Sequence, residues 1–187
     1  MKVAQTVGLK PEPVRLFEDS RGSLWFGTKR FDRGPQGRRI HAHTLAGLVH
    51  ADFRLPSLDY ETLLHVTNVL TKSREDLLAA YRQMIFNIVF HNRDDHGKNF
   101  SFLLSEEGNW RLSPAYDLNY SRGPGGEHTT AVLGEGRAPK RTQVFELGAK
   151  FGIEKKLAES IYQEVEEGRA TMKDLFRQHR VKRRAGV

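Results

Sequence analysis

Cysteine is absent from this 187-residue chain. That excludes a disulfide framework and any thiolate metal centre, and it suits a reducing compartment. No apolar run is long enough to cross a bilayer, and the opening MKVAQTVGLKPEP lacks the apolar core of a signal peptide. The expectation is a cytoplasmic protein with no membrane contact. No H-E-x-x-H zinc motif and no G-x-S-x-G nucleophile elbow is found either. An acidic excess is also missing: 30 Lys and Arg face 23 Asp and Glu, for a net charge of +7. Such a balance favours polyanionic partners such as nucleotides, nucleic acid or an acidic protein. Much of the surplus lies in KRFDRGPQGRR (29–39) and RQHRVKRR (177–184). Each of these is equally a solvated loop or tail.

With 38% hydrophobic and 28% charged residues, the composition is that of a globular chain with one real core. VAQTVGL has the spacing of a helix end, with Gly8 as its stop. PVRLFED and SLWFGTKRF read as two strands around the turn DSRG, which places Trp25, like Trp110 later, in core or cleft-edge packing. Helical patterns follow around 43–51 and 59–70. His41 and His43 are expected at a helix-entry turn, and Asp59 or Glu61 at the start of the second helix. The clearest helix is 74–90, where Leu77, Leu78, Tyr81, Met84, Ile85, Ile88 and Val89 form one face and Ser73 starts a capping box. FSFLLS and NWRLSP make a hairpin around EEGN, AYDLNY follows, and then the glycine-rich SRGPGGEH. Helical patterns at 143–151 and from about 154 to 181 finish the chain. This order of elements is α+β.

Directly after the apolar MIFNIVF comes HNRDDHGKNF, residues 91–100. Within it, Arg93-Asp94-x-x-x-x-Asn99 has the spacing of a protein-kinase catalytic loop. There an Asp takes the proton of the substrate hydroxyl, and an Asn five residues on holds Mg²⁺. A second metal-binding Asp is expected beyond a hairpin, and Asp117 in AYDL stands there. Phosphoryl transfer needs positioning and charge neutralisation more than covalent chemistry. Mg²⁺ takes hard oxygen ligands and keeps several waters, so one carboxylate and one amide suffice from the protein. The same run offers His91, Asp94, Asp95 and His96 as donors for a transition metal, which leaves a metal-dependent phosphohydrolase as an alternative.

The stretch FNIVFHNRDDHGKNFSFLL…WRLSPAYDL resembles the HipA family, the toxin kinases of bacterial HipA/HipB toxin–antitoxin pairs. TKRFDR, GRRIHAHTLAGL and DYETLL resemble that family's hinge and the helices after it. The resemblance implies a protein-kinase-like fold and phosphorylation of serine or threonine in a protein substrate with ATP and Mg²⁺. It makes Asp94 the catalytic base and Asn99 and Asp117 the Mg²⁺ ligands. It puts His96 and Lys98 beside the nucleotide phosphates, and Lys29, Arg30 and Phe31 in a hinge beside the adenine. Asp95 receives no role. It also implies a HipB-like helix-turn-helix antitoxin as partner, with DNA reached only through that partner.

The glycine loop and phosphate-pairing lysine of the family's N-lobe are not found, since RGPQGRR and RGPGGEH fall on the wrong side of the motif order. The expected organisation is therefore a remnant of N-lobe and hinge at 1–31 and a mainly helical C-lobe at 32–187. A truncated or split kinase would need a separate N-lobe chain, because an ATP cleft open on one wall weakens every electrostatic contact used in transfer. A binding module for an antitoxin or N-lobe partner, with little catalysis of its own, is the alternative from another class.

Overall fold

The structure, a computed structural model, describes residues 1–52 and 58–178. Its core is built on a long helix whose apolar face repeats every three to four residues. In chain order the helices are α1 (Lys2–Thr6), α2 (Leu45–Leu48), α3 (Tyr60–Thr71), α4 (Arg74–Val89), α5 (Arg141–Lys150) and α6 (Lys155–Gln178). The strands are β1 (Val14–Glu18), β2 (Leu24–Thr28), β3 (His41–Thr44), β4 (Leu58–Asp59), β5 (Ser101–Leu104), β6 (Trp110–Leu112) and β7 (Thr130–Ala131). No helix among the described residues is long and apolar enough to cross a membrane. The end of the basic tail lies outside the described residues.

Helix α4 forms where the 3.6-residue period predicts it. Ser73 Oγ accepts the Asp76 amide at 3.2 Å and satisfies one of the free N–H groups of the first turn. Leu77, Ala80, Tyr81, Met84 and Ile85 are all buried, and α3, α5 and α6 pack around them. Asp59 caps α3 in the same way, its Oδ1 accepting the Glu61 amide at 2.8 Å. Tyr81 donates its hydroxyl to the Val144 carbonyl of α5 at 3.0 Å, and burial pushes that phenol's pKa above its ordinary value, so it stays a donor. Helix α6 passes so close to α1 that a Cβ on Gly168 would lie 2.3 Å from Val7 Cγ1 and 3.3 Å from Phe90. Only glycine fits there.

Three small sheets replace a single large one. Strands β3, β5 and β6 form an antiparallel sheet with β5 in the middle, and β4 pairs in parallel with β7. His41 and His43 thus stand in a strand rather than at a helix-entry turn. The local reason is the period-2 order of HAHT, which pairs residue by residue with Ser101–Leu104. The β5–β6 hairpin is held to the start of α4 by the buried Asp76, which accepts from Arg111 Nε at 2.9 Å and from the Leu112 amide at 3.3 Å.

The β1–β2 ribbon stands apart. Leu16 pairs with Phe26 and Phe17 with Trp25, so both faces are apolar. Leu16, Trp25 and Phe26 are nevertheless more than 60% exposed. Trp25 is therefore not core packing; its indole N–H is held by Asp19 Oδ2 at 3.2 Å. Trp110 is half-buried and meets His41 edge to face, with ring centroids 5.6 Å apart.

Candidate active site

Helix α4 ends at Val89, and His91 takes a left-handed backbone conformation (φ 53°) that turns the chain out of the core. The polar loop 91–99 follows from this buried support and closes with a 3-10 turn at Gly97–Asn99. Two adjacent aspartates then part company. Asp94 faces outward with 57% of its side chain exposed and His96 Nε2 at 3.9 Å, while Asp95 is completely buried.

Asn99 is buried and donates Nδ2 to the Asp94 carbonyl at 2.7 Å. Its amide oxygen, the group that can ligate a hard cation, is left by that bond for other partners. Asp117 arrives from the far side of the hairpin. Asn92 Nδ2 donates to the Asp117 carbonyl at 3.2 Å and to Asn87 Oδ1 at 3.0 Å, tying the Asp117 backbone to the start of the loop. The exposed Asp117 carboxylate accepts from Asn119 Nδ2 at 2.7 Å, and its φ of 53° is a strained setting of the kind found at functional positions. Tyr116 completes the tie: its hydroxyl bonds the Lys98 carbonyl and lies 2.7 Å from Ser101 Oγ. Burial raises the Tyr116 phenol above its ordinary pKa, with the Asp117 charge adding to the effect.

The hinge positions are partly gathered in. Phe31 packs on Tyr116 with ring centroids 5.1 Å apart, next to Asp117. Arg30 is exposed and forks onto Asp32 at 2.8 and 2.6 Å, which holds the Asp32 carboxyl down at about 2. Lys29 is exposed, its amide bonded to the Pro13 carbonyl at 3.0 Å. Lys98 also exposes its side chain, and His96 is half-buried. Asn92 Oδ1, Arg93 Nε and His96 Nδ1 are buried without a partner, a concentration of unmet polar atoms that singles this loop out.

Asp95 is what the sequence reading missed. Its Oδ2 accepts the Tyr60 hydroxyl at 2.6 Å and lies 2.8 Å from His128 Nδ1. Its Oδ1 accepts the amides of Thr129 at 2.8 Å and Thr130 at 3.2 Å. Asn87 Nδ2 donates in turn to the Tyr60 hydroxyl at 2.9 Å. Burial, then the Asp95 charge, pushes the Tyr60 phenol well above its ordinary value, so it remains a donor. A signal was present: Asn87 interrupts the apolar MIFNIVF, and buried amides need partners. With both Asp95 oxygens taken, His91, Asp94, Asp95 and His96 do not converge as a transition-metal cluster. Among the described residues no three His, Cys, Asp or Glu side chains do.

Gly123 fixes the loop opposite. Its φ of 68° with ψ of 164° is open to glycine almost alone, and a Cβ would meet the Glu127 carbonyl at 2.0 Å and Arg93 Cβ at 2.7 Å. Gly123→Ala is expected to cost about 2 kcal/mol or more in denaturant unfolding, from backbone strain alone.

The chain matches the HipA-like C-terminal domain over residues 1–172. A Sinorhizobium fredii protein provisionally named kinase Y4dM is 31% identical over 140 residues, covering 69% of this chain and 33% of that one. A second protein of that organism, provisionally named kinase Y4mE, is 29% identical over 131 residues, covering 63% and 30%. This chain thus spans about a third of the length of the curated relatives it matches. A solved structure of HipA from Shewanella oneidensis, in a complex with HipB and operator DNA, superposes with a TM-score of 0.73 at 18% identity. It covers 88% of this chain and 44% of that one.

Proposed function

Because the chain belongs to the HipA-like C-terminal domain family, we propose that it is the metal- and nucleotide-binding lobe of a HipA-like serine/threonine kinase, the toxin of a toxin–antitoxin pair. The observation that carries this reading is the bond from Asn99 Nδ2 to the Asp94 carbonyl, with Asp117 roped to the same loop through Asn92. It sets an exposed carboxylate on a rigid support and leaves a buried amide oxygen and a second exposed carboxylate for a cation.

The donor set fits Mg²⁺, which asks for few, hard oxygen ligands. Asn99 and Asp117 would hold the ion, which would neutralise phosphate charge when bound. Asp94 accepts the proton of an incoming serine or threonine hydroxyl, and its exposure leaves room for a protein substrate. His96 and Lys98 supply polar and positive groups on the phosphate side, and Lys29, Arg30 and Phe31 line the adenine end. Residues 1–31 would act as the remnant of an N-lobe and hinge, and 32–187 as the C-lobe.

A second reading, as a module that binds a separate N-lobe chain, is favoured by the ribbon of β1 and β2. Strands apolar on both faces belong inside a larger sheet, and a two-stranded ribbon is marginal in water. The two readings are compatible. The regulatory partner on this view is a HipB-like helix-turn-helix antitoxin in the cytoplasm, with DNA reached through it.

Calorimetric titration of the 187-residue chain with Mg²⁺ and a non-hydrolysable ATP analogue tests the site. Mg²⁺-dependent binding, weak because one wall of the cleft is open and lowered well over tenfold further by Asp117→Ala, is the expected result. Binding indifferent to Mg²⁺ or to Asp117 would remove Asp117 as a ligand.

A further inference from the structure

The segment after Asp117 runs out over the glycine-rich turn and returns at residues 128–130, and both of its ends are fastened to the polar loop. At the near end Asn92 holds the Asp117 carbonyl and the Ser121 amide bonds the His91 carbonyl at 2.9 Å. At the far end the fastening is Asp95. One buried carboxylate takes the amides of Thr129 and Thr130, the Tyr60 hydroxyl and His128, while the Thr130 hydroxyl bonds the Asp95 carbonyl. The Thr129 amide and hydroxyl also reach the Arg93 carbonyl, at 3.2 and 3.1 Å. Thr130 pairs in turn with Leu58, two residues before Tyr60. Asp95 therefore joins four stretches of chain: the polar loop, the segment 128–130, the start of α3 and, through Tyr60 and Asn87, the end of α4.

We propose that Asp95 is a positioning residue. It locks Asp94, its immediate neighbour, and the returning segment into one rigid unit, so that the site is assembled in the unmodified chain. In many kinases the segment after the metal-binding Asp is ordered by phosphorylation, which recruits an arginine to a new charge. Here a buried carboxylate already fills the ordering role, and it does so with backbone amides that no modification need create. The inference rests on the kinase reading for its consequence. Its structural content, one unit held by one side chain, stands or falls separately.

Amide hydrogen exchange on the unmodified chain separates the two. Thr129, Thr130 and Asn99, whose own amide bonds the His96 carbonyl at 2.8 Å, are expected to be strongly protected in the wild type. In Asp95→Asn, whose amide presents N–H groups to the Tyr60 hydroxyl, exchange at all three should rise at least tenfold more than at the amides of α4 and α5. Leu147→Ala, a buried truncation in α5, serves as the control: it lowers global stability yet should leave that ratio unchanged. If Asp95→Asn does not fold, Tyr60→Phe, which removes one of the four donors, decides with a several-fold rise at the same amides. Loosening of Thr129 and Thr130 without Asn99, or an even rise across the protein, would overturn the proposal. Nucleotide titration of the same variants gives an independent readout. Affinity falling with the Asn99 exchange rate supports positioning of the site. Absence of nucleotide binding in the wild type even with an N-lobe supplied would sink the kinase reading alone.

Discussion

With an N-lobe supplied, replacing Asp94 with asparagine is expected to cut transfer of the ATP γ-phosphoryl group to a serine or threonine by about 10²–10⁴-fold, the worth of a positioned general base. Thermal stability should barely move. The side chain is 57% exposed, His96 Nε2 lies 3.9 Å from it, and the Asn99 bond goes to its backbone rather than its carboxylate. Surface changes of this sort lie within about 0.5 kcal/mol. Asparagine keeps the shape and removes only the basic oxygen, so a loss of rate with an unchanged melting curve isolates the proton-accepting step. Equal rates in the two proteins would take Asp94 out of that role.

The opposite outcome is expected one residue later. Asp95→Ala removes the only carboxylate that meets the Tyr60 hydroxyl, His128 and the amides of Thr129 and Thr130, all at a point with no access to water. Each stranded buried donor costs about 1–3 kcal/mol, and the loss of Asp95 leaves four of them. The contributions overlap, so a total near the lower end of their sum, about 5 kcal/mol, is the expected loss in urea unfolding. That is a large share of the stability of a single domain, about 5–15 kcal/mol. A loss under about 1 kcal/mol would mean that water or a neighbour replaces the carboxylate, and the buried network would not be the anchor described. The contrast between the two aspartates is the sharper test, since chemistry and folding are assigned to adjacent residues.

That contrast also shows where the sequence stops being legible. Helix α4, its Ser73 cap and the hairpin after the polar loop follow from local period and capping, and all three stand in the structure. The spacing of Asp94 and Asn99 is equally local, and the Asn99 bond closes the loop within that spacing. Which of the two aspartates turns inward is not a local property. It depends on Tyr60 and His128, more than 30 residues away on either side, each delivered by a different element. The β4–β7 pair is hidden for the same reason: two residues on each side, set more than 70 positions apart, carry no periodic signal. Strand β3 was within reach, because HAHT alternates, but four residues beside a helix pattern are easily absorbed into the helix. For Trp25, expected in core or cleft-edge packing, the core is excluded. An aromatic strand predicts burial, and here it lies on a ribbon with open faces.

The close approach of Gly168 to Val3 and Val7 has a consequence for the order of folding. Helix α1 has five residues, too few to persist in water without a partner. Its partner is α6, near the other end of the described chain. On a ribosome, Val7 must wait for all the intervening chain to be made before Gly168 appears. The α3–α4 pair, adjacent in sequence, closes a short loop and can form first, whereas the α1–α6 seam must close the longest loop in the fold. The seam should therefore form later than the α3–α4 pair, with α1 exposed to proteases until α6 arrives.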